Sequence, residues 1–83
     1  MADLDPSIKA RAAEEFAALQ QDGAAAFGAG DFGLAEDCFR RAAKLAPMDA
    51  SVHNNLGQAL IKIAVIMVTL SNALKIYWLR QDQ

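Results

Sequence analysis

Apolar positions recur at helical spacing along most of this 83-residue chain, with almost no β-branched alternation before residue 61. The pattern predicts three helices. An alanine-, glutamate- and arginine-rich run opens at Pro6, with Asp5 placed to cap it and the proline at the favoured first helical position. It continues without a breaker to Gln21 and is expected to end near Ala29, a break at Asp22-Gly23 being the alternative. A second helix is predicted from about Phe32 to Ala46. It sets Phe32, Ala35, Phe39, Ala42 and Ala43 on one face, and Arg40, Arg41 and Lys44 near a C-terminal end whose dipole favours cations. The third is predicted from about Ala50 to Arg80. The fold class is all-α.

The punctuation between the first two helices is specific. Gly30 supplies a left-handed helix end at little steric cost, and Asp31 is placed to cap the next start. Pro47 cannot continue the second helix, and Asp49 is placed to cap the third. Small residues at Gly23, Ala26, Ala35 and Ala42 let two helices approach closely, while Phe39 fills the gap between them. With Gly30-Asp31-Phe32 and Pro47 included, this succession resembles the tetratricopeptide repeat (TPR), a helix-turn-helix unit of 34 residues. A second copy starts in register at Ala50, where Asn54-Asn55-Leu56-Gly57-Gln58-Ala59-Leu60 is similar to the family's first helix. The resulting division of a single domain, 1–83, is an N-terminal helical extension over 6–15, one repeat over 16–49, the first helix of a second over 50–63, and an atypical apolar helix over 64–83.

That last segment departs from the family. A repeat turns about fourteen residues in, and the matching stretch Lys62-Ile63-Ala64-Val65-Ile66 holds no turn residue. Instead Leu56, Leu60, Ile63, Met67, Leu70, Leu74 and Tyr77 follow a 4-3-4-3-4-3 spacing, an unbroken heptad seam widened by Ile61, Ala64, Val68 and Trp78. A continuous helix over that stretch is roughly 45 Å long at 1.5 Å per residue. The hairpin from Phe16 to Ala46 covers only its first half. The alternative is a fold-back near Ala64, which β-branched Val65 and Ile66 disfavour. A long helix with a bare apolar half predicts an oligomer, formed by helix packing or by exchange of elements between protomers, a dimer being favoured.

Composition narrows the function. The formal charge of −2 gives no general attraction to nucleic acid. Residues 1–49 hold nine acidic and five basic side chains, whereas residues 50–83 hold one acidic and three basic. Cys38 is the only cysteine, so neither an internal disulfide nor a cysteine-based metal site is expected, and a small packing residue is the ordinary reading. His53 is the only histidine and reads as a packing or surface residue. The acidic pairs Glu14-Glu15 and Glu36-Asp37 point to different sides of a helix, and Gly23, Gly28, Gly30 and Gly33 match no phosphate-loop spacing. No catalytic, cofactor-binding or metal-binding residues are assigned, and an enzyme is not expected.

TPR arrays are interaction scaffolds, and the resemblance implies a concave face made by each repeat's first helix. Its positions here include Gln20, Ala24 and Phe27 in the first copy and Asn54, Asn55, Gln58 and Lys62 in the second, a candidate site for a peptide or helix. Gln20 stands where chaperone-binding members carry a cation, which argues against capture of a terminal carboxylate. Ile63, Met67, Leu70, Leu74, Tyr77 and Trp78 are the candidate self-association residues. The expectation is a cytoplasmic, non-enzymatic interaction and assembly module, since the acidic Met1–Asp5 opens no secretory signal. The alternative is a small membrane-associated subunit with Ile63–Leu79 in lipid or against a transmembrane partner. That stretch has seventeen residues and includes Asn72 and Lys75, which is borderline for a hydrocarbon core of about 30 Å.

Overall fold

The structure, a computed structural model, describes residues 5–81 and consists of three helices: α1 (Pro6–Gly28), α2 (Phe32–Leu45) and α3 (Ala50–Gln81). Each start is capped by an aspartate. Asp5 accepts from the Ser7 backbone N–H at 2.9 Å, Asp31 from that of Leu34 at 3.1 Å, and Asp49 from those of Ser51 and Val52 at 2.9 and 3.2 Å. These bonds satisfy donors that a helix N-terminus leaves without partners. They also hold the Asp5 and Asp49 carboxyls below the ordinary aspartate range, through bonds to Ser7 in the first case and to Ser51 and Val52 in the second.

The turn from α1 to α2 closes as a Schellman motif. Gly30 has φ +84°, its N–H donates to the Phe27 carbonyl at 3.1 Å, and the Asp31 N–H donates to the Ala26 carbonyl at 2.9 Å. α1 passes through Asp22-Gly23 without a break. α2 ends one residue earlier than expected, with Ala46 as its C-cap.

Two small clusters form the core. Leu19, Ala42 and Val52 meet at one level, with Phe16 and Ala43 against them. Ala26, Ala35, Phe39 and Ala59 meet at the next, flanked by Phe27 and Leu56. On α2 the buried face is Ala35, Cys38, Phe39 and Ala42, while Phe32 and Ala43 are half-buried. The fit is tightest at Gly23: a Cβ built there would lie 2.6 Å from the Phe39 ring. Only glycine lets α1 and α2 approach this closely around an aromatic side chain.

The same contacts fix the directions. Residues 19–20 of α1 sit level with the start of α3, and residues 26–27 with Leu56 and Ala59, so α1 and α3 run parallel with α2 antiparallel between them. The N-terminal part of α1 therefore extends past one end of the bundle and the C-terminal half of α3 past the other. α3 does not fold back near Ala64; it is one helix of 32 residues. Val65 and Ile66 suit a helix interior better than a turn that needs positive φ. The Cα radius of gyration is 18.5 Å, against roughly 12 Å for a compact chain of this length.

Candidate functional site

Two surfaces gather the residues singled out in the sequence. The first lies between α1 and the start of α3. Gln20 bridges the two helices: its Nε2 donates to Ser51 Oγ, and its Oε1 accepts from Asn55 Nδ2, both at 3.3 Å. Next to this bridge a groove of about 200 Å³ is lined by Ala24, Phe27, Phe39, Asn55 and Gln58. The structure thus places Gln20, Ala24, Phe27, Asn55 and Gln58 together. Asn54 and Lys62 are exposed on α3 outside the lining. Two aromatic rings and two amides in its lining offer apolar contact plus paired donors and acceptors, the chemistry of a peptide backbone. Among the described residues no charged side chain lines it.

The second surface is the distal half of α3. Burial stops at Ile63, which is half-buried; every residue from Ala64 to Gln81 is exposed. The large apolar side chains from Val65 to Leu79 are between 43% and 66% exposed, which a soluble chain rarely tolerates over so long a run. Met67, Leu70, Leu74 and Tyr77 extend along the helix from Leu56, which packs on the Phe39 cluster. Tyr77 and Trp78 stack edge to face with centroids 6.3 Å apart. An 18-residue window of α3 has a mean hydropathy of 1.8, so the helix is long and apolar enough to cross a membrane by length and composition.

A third feature was not singled out in the sequence. Arg40, Ala43, Lys44, Pro47 and Leu56 line a groove of about 390 Å³ at the α2–α3 junction. Three apolar residues and two cations share its lining. Arg40 lies 3.5 Å from Glu36, and Arg41 3.8 Å from Asp37, as i,i+4 ion pairs. Only tertiary packing brings residue 56 to residues 40–47, so no local pattern could have announced it.

Among the described residues no cluster of His, Cys, Asp and Glu could hold a metal ion. Cys38 is buried, and burial together with nearby Asp22 and Asp37 pushes its thiol pKa up, the reverse of what a nucleophile needs. His53 is exposed and its Nε2 bonds the Pro47 carbonyl, which ties the α2–α3 connection to the first turn of α3. Comparison with protein-family models, curated proteins and solved structures finds no match for this chain.

Proposed function

We propose that this chain is a non-enzymatic association module, TPR-like in build, that assembles with copies of itself through the distal half of α3. One observation carries the reading. α3 leaves the bundle as an unbroken helix, and the apolar row that begins against the core at Leu56 continues into solvent through Met67, Leu70, Leu74 and Tyr77. Among the described residues no element of the same chain covers that row. A second α3 supplies the missing surface, since a 3.5-residue apolar repeat is what knobs-into-holes pairing uses. The groove at Ala43, Pro47 and Leu56 lies where the row begins, so an exchanged helix from the partner would enter it. The amide-bearing groove at Asn55 and Gln58 remains open for a peptide or helix in such an assembly.

Light scattering after size exclusion, without detergent and over a wide concentration range, tests this. The expected mass is that of two or more chains, falling when Met67 and Leu70 are both changed to glutamate while helicity persists. A wild-type mass of one chain at every concentration sinks the proposal.

A further inference from the structure

α3 carries a second apolar stripe that pairing along Met67, Leu70 and Leu74 does not use, and Ile61 and Val68, expected to widen that seam, fall on it instead. At about 100° per residue, Ile61, Val65, Val68, Ile76 and Leu79 fall together on the side roughly opposite Met67, Leu70 and Leu74. All five are exposed, between 54% and 66%. Polar rows separate the two stripes: Lys62, Thr69 and Arg80 on one flank, Ser71 and Lys75 on the other. A helix hydrophobic on opposite sides still exposes one stripe after a partner helix has covered the other.

The charges say what covers it. α3 contains no aspartate or glutamate, and its three cations, Lys62, Lys75 and Arg80, flank the second stripe on both sides. Long basic side chains beside an apolar strip hold their stems against it and their heads at its edge. An anionic lipid surface presents the complementary arrangement, acyl chains beneath negative headgroups. The acidic part of another copy is the competing occupant. Glu36 and Asp37 already pair with Arg40 and Arg41, but among the described residues Glu14, Glu15 and Asp22 on α1 form no such pair, and the mass of the assembly separates the two occupants.

The polar residues favour a helix lying on the surface over one crossing it. Asn72 sits midway along the stripe between Val68 and Ile76, where headgroups can bond its amide. Lys75 stands four residues from Leu79, so Ile63–Leu79 crosses only with that ammonium snorkelling back to the interface. A helix lying on the surface keeps it among the headgroups. The Thr69 hydroxyl donates to the Val65 carbonyl at 2.8 Å and so needs no other partner.

We infer that Ile61, Val65, Val68, Ile76 and Leu79, with Lys62, Lys75 and Arg80, form a peripheral docking surface for an anionic membrane. This surface is separate from the self-association seam and does not rest on it. The test is co-flotation of the full chain with phosphatidylserine–phosphatidylcholine vesicles, compared with phosphatidylcholine vesicles, with light-scattering mass measured on the same samples.

Binding to the mixed vesicles is expected to exceed that to the neutral ones, to weaken with added salt, and to fall about five-fold for each of Lys62→Gln, Lys75→Gln and Arg80→Gln. Val65→Glu with Ile76→Glu should abolish flotation and leave mass and helicity unchanged. The inference is overturned by absence of flotation with the mixed vesicles, or by equal binding to neutral vesicles that the three glutamine variants do not alter. It is also overturned if Val65→Glu with Ile76→Glu lowers the mass, which assigns the stripe to further copies. A single-chain mass with flotation intact defeats self-association alone and leaves the lipid surface standing.

Discussion

Two glycines inside helices of this chain show how residue type acquires meaning only from what it touches. At Gly23 an added Cβ would meet the Phe39 ring at 2.6 Å, whereas at Gly57 it would meet nothing within 4 Å. Gly23→Ala should therefore destabilise the bundle by about 1–3 kcal/mol through overpacking, even though alanine is the better helix former. Gly57→Ala should stabilise it by about 0.5–1 kcal/mol, the usual difference between the two residues in a helix interior. Urea denaturation of both variants checks the pair, and a loss of stability at Gly57 would contradict the open environment seen there. Asp49 makes a second residue-scale prediction. Its folded pKa lies below the ordinary 3.8, chiefly through bonds to the Ser51 side chain and the Val52 backbone. Its contribution is thus complete above 3.8 and lost as pH falls through the lower folded value. Asp49→Asn keeps a capping oxygen without the titrating charge, so thermal melts across that acid range should show a flatter profile than wild type.

At the scale of elements, α3 is two helices in energetic terms. Its first half is held by Val52 and Ala59, both fully buried, and by the amide bridge from Gln20 to Asn55. Its second half is exposed throughout, so among the described residues helix propensity is its main support, and isolated segments of about 12–15 residues are marginal in water. Val65→Pro removes a helical N–H and clashes with the preceding turn, at a cost of about 3 kcal/mol. The expected result is loss of ellipticity from the distal half, with the melting of the α1–α2–α3 bundle retained, read by far-UV circular dichroism. Collapse of the whole signal would show instead that the bundle depends on the distal helix.

The whole molecule measures 70 × 25 × 15 Å, an outline set by helices that overhang the bundle at both ends. Two clusters built largely of alanines around Phe39, Leu19 and Val52 make a small core for independent stability, and chains of this size commonly lean on a partner. If the seam at Met67, Leu70 and Leu74 makes that contact, the interface is apolar, and its mass in light scattering should hold when salt rises. Vesicle binding through Lys62, Lys75 and Arg80 should weaken under the same change, because exposed charges are screened. Opposite responses to salt separate the two surfaces on unmodified protein.

Much of the architecture was legible in local sequence because its determinants are local. Asp5, Asp31 and Asp49 cap the helices they precede, Gly30 takes the positive φ expected of it, and Pro47 lies just beyond the end of α2. The missing hinge near Ala64 was readable for the same reason: without a turn residue the helix continues. Other features depend on residues far apart in the chain, which periodicity does not encode. Tertiary structure alone decided that Gln20 bridges to Ser51 and Asn55, that Leu56 joins Arg40, Ala43 and Lys44 around a groove, and that Asn54 and Lys62 stand apart from Asn55 and Gln58. The sequence by itself determined where each helix begins, through its aspartate caps, but left open a break at Asp22-Gly23 and a fold-back near Ala64. The tertiary structure decided both, chose which faces the bundle covers and left the distal face of α3 bare.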